Sequence, residues 1–330
     1  MAAPILLTGA TGFLGHHLCK KLLEEGHELR ALCRKGSSQA LLPLEHPRLS
    51  IWEGDILDIF SLADAMEGCA AVIHAAALVS FQAKDKQQLY QINQEGTANV
   101  VNIALDLAIP RLVYVSSVAA LERNPDGSKI TSLRDNWHHR PAPTDYARSK
   151  FAAEREIWRG QAEGLSVGAV YPSVIIGPGD WERNGSPGLF RHLAQGSRFF
   201  PSGSAGFVAV EDVVLACSHL LQSDVSDERI LCSSANLSWK TFLTKAAEAL
   251  AVKPPTIQLR PWQSALLWPL AGLIASIKGQ RPFITRAKHR ISQSRFSYDG
   301  SSFEKALGRP YASVETAIEH TAKAYLASMK

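Results

Sequence analysis

Short apolar runs alternate with amphipathic stretches along the first two thirds of the chain. The apolar runs predict six strands, at residues 5–8, 28–33, 49–53, 71–74, 112–116 and 166–171. Apolar residues at helical spacing predict helices near residues 12–25, 58–66, 85–107 and 144–163. Strands that alternate with helices indicate βαβ units, so the sequence predicts an α/β fold with a doubly wound parallel sheet.

The composition changes after Pro172, where glycine, proline and serine become frequent at residues 177–179 and 201–204. Such stretches predict loops that leave the core. Residues 207–221 and 229–232 again have the pattern of a sheet and its helix. We therefore predict a Rossmann-type domain, residues 1–171 plus 207–235, and a smaller, mostly helical C-terminal substrate lobe, residues 172–206 plus 236–330.

Charge and cysteine content exclude several classes of protein. The 35 basic and 31 acidic residues give a net charge of +4 without a basic stripe, which argues against nucleic-acid binding. Five cysteines lie far apart, which is typical of a reducing compartment. Strand-like sequence begins by Ile5 and leaves no room for a cleavable leader, so we expect a cytoplasmic protein.

One segment, residues 262–277, resembles a membrane element. It is apolar but shorter than a span, and Pro269 and Gly272 interrupt it. We favour a buried or lid-forming helix hairpin, with membrane contact as the alternative.

Three glycines, Gly9, Gly12 and Gly15, fall where the first strand meets the first helix. With Thr11, Phe13 and Leu14 they form a turn whose backbone N–H groups and helix N-terminus can bind a pyrophosphate. A Cβ in this turn would block the approach of the ligand. An ordinary strand-to-helix turn is the alternative, because glycine also serves there.

The end of the second strand is where a dinucleotide-binding fold distinguishes the cofactor's 2′ position. Cys33 stands where an NAD-selective site has an acid, and Arg34, Lys35 and Ser37 follow it. Arginine binds phosphate in a bidentate manner, so the loop favours NADP(H) over NAD(H). The alternative is that the two cations are solvated loop charges.

Further cofactor contacts are expected after the third and fourth strands. Asp55, followed by Ile56, can accept a hydrogen bond from the adenine amino group or can cap the helix near Asp58. The small residues Ala75, Ala76 and Ala77 leave the backbone open to the cofactor. We interpret His74 as a packed core residue.

Tyr146 and Lys150 stand four residues apart in the helix predicted at 144–163, and so lie on one face. A nearby ammonium is expected to lower the phenol pKa from about 10 toward neutrality, as proton transfer requires. Ser116 and Ser117 end the preceding strand at the same edge of the sheet, where parallel-sheet enzymes bind their ligands.

Together these motifs resemble the extended short-chain dehydrogenases/reductases of the NAD-dependent epimerase/dehydratase superfamily, in family order through residues 210–213. The resemblance implies that Tyr146 is the proton donor or acceptor and that Lys150 binds ribose and activates the tyrosine. It implies that Ser117, with Ser116 as the alternative, holds the substrate oxygen. Asn93 matches a structural asparagine, and the residues expected to flank the nicotinamide are Pro172, Ser173 and Val174.

Departures from the family pattern bear on the reaction. Ser117 is followed by Val118 and Ala119 instead of the dehydratases' acidic pair, and residues 171–180 lack the arginine and asparagine usual in sugar-nucleotide enzymes. The layout, including residues 281–286, is similar to 3β-hydroxysteroid dehydrogenase-like, dihydroflavonol reductase-like and 2-alkyl-3-oxoalkanoate reductase-like members. We therefore expect hydride transfer to a ketone or aldehyde, or from an alcohol, of a hydrophobic small molecule.

Several alternatives stay open. The apolar residues of 262–277 form either a roof over the site or a packed core. A sugar-nucleotide epimerase or reductase, or a non-catalytic dinucleotide-sensing protein, can have the same fold. His138 and His139 lack a third ligand, so we expect no metal site. A homodimer through the helices at 85–107 and 144–163 is a hypothesis.

Overall fold

A parallel sheet lies at the centre of the computed structural model, which describes residues 3–121, 143–182, 185–259 and 285–329. The described strands, in chain order, are β1 (Ile5–Thr8), β2 (Leu29–Cys33), β3 (Leu49–Glu53), β4 (Ala71–His74), β5 (Leu112–Val115), β6 (Val167–Pro172), β7 (Val174–Ile176), β8 (Phe199–Pro201), β9 (Ser204–Ala209), β10 (Glu228–Cys232), β11 (Ala235–Ser238) and β12 (Ile257–Leu259). Seven of them form the central sheet, in the order β10-β6-β5-β4-β1-β2-β3. The predicted fold class and the six predicted strands are confirmed, and residues 229–232, predicted to return to the sheet, lie in β10, a seventh strand at its edge.

Helices cover both faces of this sheet. The described α-helices are α1 (Phe13–Glu24), α2 (Ile59–Met66), α3 (Lys86–Tyr90), α4 (Gly96–Asp106), α5 (Asp145–Ala162), α6 (Ser186–Ala194), α7 (Val210–Gln222), α8 (Trp239–Ala249), α9 (Arg286–Gln293), α10 (Ser301–Leu307) and α11 (Val314–Ser328). Apolar residues of α1, α7 and α10 pack on one face, and those of α2, α4 and α5 pack on the other. Because both faces are covered, central strands such as β1 are buried throughout and mostly apolar.

The single helix predicted at 85–107 is interrupted in the structure. A π-helical turn, Gln91–Glu95, separates α3 from α4. The side chain of Asn93 in this turn accepts a hydrogen bond from Leu78 N at 2.7 Å and donates to Leu78 O at 3.0 Å and Ser149 Oγ at 2.9 Å. The wider turn thus aims Asn93 at the segment after β4 and at α5, which supports the structural role expected of it.

Two small sheets lie outside the central one, in the orders β11-β9-β7 and β12-β8. Residues 207–209, expected to rejoin the central sheet, instead end β9, where Phe207 pairs with Val174 and Ala235. Of the segment 207–235, α7 and β10 return to the central sheet. Phe190, Phe207 and Phe242 are buried in a separate core with α6, α8 and α11.

Residues 262–277 and 281–284, as well as His138 and His139, lie outside the described residues. Within the described ranges, none of the helices combines the length and the apolar character that crossing a bilayer requires.

Candidate active site

The carboxyl ends of the central strands meet at one edge of the sheet, where the order of the strands reverses. β1 lies between β2 and β4, and the chain builds outward from it on both sides. Connections on the two sides leave in opposite directions at such a point, which opens a crevice. The glycine turn after β1 lies at this crevice.

The glycine turn leads directly into the N-terminus of α1. Gly9 has φ +73°, and Gly12 N donates to Gly9 O at 2.9 Å, which closes the turn. α1 then begins after Gly12 with no side chain capping its N-terminus. The first N–H groups of a helix have no partner within the helix, so this end of α1 can bind an anion.

The protein's own packing, more than the ligand, requires the glycines at positions 9 and 15. A Cβ at Gly9 would lie 2.7 Å from Ala76 N, and a Cβ at Gly15 would lie 2.0 Å from Gly9 O. Gly12 is less restricted, with its nearest neighbour at 3.1 Å. Our sequence-based reason, that a Cβ would block the ligand, is therefore incomplete: two of the three glycines allow the turn to close on itself and on the end of β4.

A groove of about 580 Å³ lies beside the ends of β2 and β3. Arg34 and Lys35 are exposed along it, and the Ser37 hydroxyl is buried there without a hydrogen-bond partner in the described structure. A cationic wall and an unsatisfied hydroxyl fit a phosphate group.

Asp55 also lines this groove, together with the acidic side chain of Glu53. Its Oδ1 accepts a hydrogen bond from Leu57 N at 3.0 Å. The cap of α2 is Asp58, whose side chain accepts from Phe60 N at 3.2 Å, so the alternative role of Asp55 as the helix cap is ruled out. Ile56, next in the chain, is buried.

His74, at the end of β4, is buried in a chain of hydrogen bonds that joins β1 to α4. Its Nδ1 lies 2.8 Å from Thr8 Oγ1, and its Nε2 lies 2.9 Å from Thr97 Oγ1. Because the Thr97 hydroxyl donates its proton to Asn93 O, Nε2 must carry the imidazole proton. Burial lowers the pKa of His74 to about 3. The interpretation of His74 as a packed core residue is confirmed.

This burial predicts an acid-sensitive fold. His74 is neutral in the folded protein down to about pH 3, whereas in the unfolded chain it gains a proton near pH 6.5. Its contribution to stability is therefore complete above pH 6.5 and falls by about 1.4 kcal/mol per pH unit below it. Urea unfolding at pH 7, 6 and 5 measures this slope. The free energy of unfolding of a folded His74→Asn protein should depend less steeply on pH. Equal slopes in the two proteins would show that His74 is not the cause.

Tyr146 lies at the start of α5, which the Thr144 hydroxyl caps by accepting from Ala147 N at 3.1 Å. The Tyr146 hydroxyl and the Ser117 side chain are hydrogen bonded. Ser116 instead donates to Glu154 at 3.1 Å, in the interior, so Ser117 is the serine that meets the tyrosine. The ring of Phe81 stands edge-on to Tyr146, with the centroids 5.8 Å apart.

The prediction that Lys150 lowers the pKa of Tyr146 is wrong for the protein without cofactor. Burial raises the pKa of Tyr146, and the hydrogen bond with Ser117 opposes this only in part. Lys150 does not offset the burial: its Nζ donates to Tyr114 OH at 2.6 Å and to Val115 O at 2.8 Å. Burial also lowers the pKa of Lys150, to about 7, while Glu154 raises it.

Two of these groups, Tyr114 and Glu154, were not predicted from the sequence. Each had a signal: Glu154 follows Lys150 by four residues, and Tyr114 alternates with apolar neighbours in β5. The remaining predicted residues lie at the same edge. Pro172 is buried, the Ser173 hydroxyl is buried without a partner in the described ranges, and Val174 begins β7. Ala75 and Ala76 approach the turn at Gly9, and Ala77 follows them as the chain leaves β4.

Residues 5–232 match the model of the NAD dependent epimerase/dehydratase family. The matched region includes the turn, the groove and the tyrosine site. The chain belongs to this family. As an NAD dependent epimerase/dehydratase family protein, it is an extended short-chain dehydrogenase/reductase, and the predicted family is confirmed.

Named relatives of this family member include reductases. The chain is 32% identical over 265 residues to cinnamoyl-CoA reductase 1 of Oryza sativa subsp. japonica, with 76% of this chain and 77% of that protein covered. It is 31% identical over 261 residues to sterol demethylase protein B of Methylococcus capsulatus, with 76% and 78% covered.

Solved structures share the architecture across almost the whole chain. The crystal structure of gox2253 is 25% identical, with a TM-score of 0.82 and coverage of 99% of this chain and 98% of that one. MoeE5 in complex with UDP-glucuronic acid and NAD is 21% identical, with a TM-score of 0.74 and coverage of 98% and 99%, a likeness in fold alone.

Proposed function

We propose that the protein is an NADP(H)-dependent oxidoreductase that transfers hydride between nicotinamide C4 and a ketone or aldehyde, or an alcohol, of a hydrophobic small molecule. The observation that carries the proposal is the hydrogen-bonded pair Tyr146 and Ser117, with the buried Lys150 one turn along α5. A phenol can act as general acid toward a carbonyl oxygen, and a neighbouring hydroxyl and ammonium can stabilise the charge that develops.

Tyr146 is the proposed general acid in the reducing direction. Because burial raises its pKa, the phenol keeps its proton near neutral pH and can give it to the carbonyl oxygen. The Ser117 hydroxyl holds the same oxygen. The Lys150 ammonium donates to Tyr114 and Val115 in the protein alone, and its proposed role is to bind the cofactor ribose with its third N–H and to activate Tyr146 through that ligand. The cofactor, when bound, supplies the hydride.

The cofactor contacts follow from the crevice and its groove. The free N–H groups at the start of α1 suit a pyrophosphate, and Arg34, Lys35 and Ser37 suit a 2′-phosphate. We propose Asp55 for the adenine amino group. Ala75, Ala76, Ala77 and Ser116 would contribute backbone, since Ser116 turns its hydroxyl inward to Glu154.

Arg34→Ala tests the preference for the 2′-phosphate. Loss of a charged phosphate contact should raise KM for NADPH by about tenfold to a hundredfold and leave KM for NADH nearly unchanged. Lys35→Ala, the matched control, should have a smaller effect because an ammonium cannot bind phosphate in a bidentate manner. A KM for NADPH unchanged in both variants would contradict NADP(H) selectivity.

Apolar surroundings support a hydrophobic substrate. The Phe81 ring packs against Tyr146, and Val174 and Ile175, which follow the end of β6, are partly exposed. The similarity to proteins named cinnamoyl-CoA reductase 1 and sterol demethylase protein B also supports a hydrophobic substrate, because their names refer to cinnamoyl and sterol compounds.

The direct experiment is a panel of aliphatic, aromatic and steroid ketones assayed with NADPH and with NADH. UDP-sugars are included for contrast. We expect NADPH oxidation with apolar ketones. Turnover of UDP-sugars alone would overturn the proposal in favour of a sugar-nucleotide epimerase or reductase.

Location and assembly are further proposals. All five cysteines are buried and unpaired, which suits a cytoplasmic protein.

We also propose a homodimer through α4 and α5. A monomeric mass by light scattering would refute the dimer.

A further inference from the structure

A buried carboxylate lies one helical turn beyond Lys150 and has no role in the chemistry above. Glu154 is only 3% exposed. Its Oε1 accepts from Tyr171 OH at 2.5 Å and from Trp158 Nε1 at 3.1 Å, and its Oε2 accepts from Ser116 Oγ at 3.1 Å. An indole N–H can only donate, and three donors around one carboxyl group are the pattern of an ionised carboxylate.

We propose that Glu154 is a positioning residue that keeps the Lys150 ammonium charged and leaves it free to bind a ligand. The inference rests on the proposed function only for what the charged Lys150 does in catalysis. The electrostatic relation between the two side chains is independent of that function.

Lys150 needs a counter-charge because its ammonium is almost fully buried. The side chain is 2% exposed, and its two hydrogen-bond acceptors, Tyr114 OH and Val115 O, are neutral. Burial without a compensating charge favours the neutral amine. Burial lowers the pKa of Lys150 to about 7, and Glu154 acts in the opposite direction.

Three titratable groups interact with the ammonium within the described structure: His74 on β4, Tyr114 on β5 and Glu154 on α5. A fourth, Tyr146 on α5, interacts with Tyr114. His74 is neutral because burial lowers its pKa to about 3. Burial raises the pKa of both tyrosines, so they too are neutral near pH 7. Glu154 is therefore the member of this group that supplies negative charge.

The hydrogen bonds of Glu154 explain why its carboxylate and the Lys150 ammonium do not form a direct ion pair. Tyr171 on β6, Ser116 after β5 and Trp158 on α5 hold the carboxylate from three directions. The Arg229 guanidinium lies 3.6 Å from the Trp158 ring centroid and fixes that side chain in turn. The carboxylate acts on Lys150 through space, and the third ammonium N–H is left for a ligand.

The test is an NMR titration of the full-length protein without substrate or cofactor. Lysine labelled with ¹³C at Cε reports each ammonium, and the signal missing from Lys150→Arg is assigned to Lys150. Glu154→Gln keeps the shape and removes the charge, so the Lys150 midpoint should fall by about one pH unit, a tenfold change in acidity. Tyr171→Phe keeps the Glu154 carboxylate and removes one of its hydrogen bonds, so the Lys150 midpoint should fall much less in this variant. An unchanged midpoint in folded Glu154→Gln would overturn the proposal.

A reciprocal experiment covers the case in which Glu154→Gln does not fold. Linkage requires Lys150→Gln to raise the midpoint of Glu154 by the amount that Glu154 raises that of Lys150. Glutamate labelled at Cδ, assigned through its contact with the Trp158 indole proton, reports this value. A Glu154 midpoint that does not rise contradicts the inference. Because neither titration involves turnover, an inactive protein with coupled midpoints would overturn the proposed function and leave this inference standing.

Discussion

Replacing Tyr146 with phenylalanine is expected to lower kcat for carbonyl reduction by about a thousandfold, the range in which a positioned general acid contributes. The variant removes the hydroxyl that is bonded to Ser117 and leaves the ring against Phe81. The groove at Arg34 is built from other strands, so the dissociation constant for NADPH should stay within about twofold. Steady-state kinetics and fluorescence titration with NADPH measure the two quantities.

Tyr90→Phe is the matched control for this variant. Tyr90 ends α3, and its hydroxyl makes no hydrogen bond to a described residue. Turnover in Tyr90→Phe should therefore equal that of the parent protein. If Tyr146→Phe also retained full turnover, the assignment of the proton donor would be wrong.

Gly15→Ala is expected to disrupt the dinucleotide turn. The added methyl group would lie 2.0 Å from Gly9 O, which is backbone and cannot rotate away. The start of α1 has to move, and we expect a loss of about 3 kcal/mol in the free energy of unfolding, at the upper end for overpacking. The shift of the helix N-terminus should also weaken NADPH binding by about tenfold or more.

Gly12→Ala provides the comparison within the same turn. Its Cβ would meet Gly9 O at 3.1 Å, a contact that a small adjustment relieves. The melting temperature should fall by roughly 4 °C in Gly15→Ala and by clearly less in Gly12→Ala. Equal falls in the two variants would show that the close packing of Gly15 on Gly9 is not what the turn depends on.

The periodicity of apolar residues was enough to predict the central sheet because its strands are buried between two helical layers. Residues 5–7 and 112–115 have this uninterrupted apolar pattern. Where tertiary contacts override local pattern, the prediction failed. The π-helical turn at Asn93 forms because one amide bonds to Leu78 and Ser149, which are distant in sequence. Residues 207–209 resemble a central strand, yet they pair with β7 and β11.

For the site, the spacing of Tyr146 and Lys150 and the strand-end position of Ser117 were sufficient to place the three residues together. The environment of each could not be predicted. Spacing suggested that Lys150 lowers the tyrosine pKa, but burial has the larger effect and the ammonium turns to Tyr114. The charge that favours the Lys150 ammonium comes from Glu154, which accepts hydrogen bonds from Tyr171 and Ser116 at the ends of two other strands. The fold brings these residues together, so their contacts could not be predicted from local sequence.

Transfer of deuterium from the cofactor to the product would show directly that the protein catalyses net hydride transfer. A ketone identified by the panel is reduced with NADPH that has deuterium at the transferred C4 position, and the product alcohol is analysed by mass spectrometry. We expect one deuterium on the former carbonyl carbon and an equal amount of NADP⁺ in solution. A product without deuterium, formed while the cofactor stays bound and is not consumed, would contradict net hydride transfer and indicate an epimerase instead.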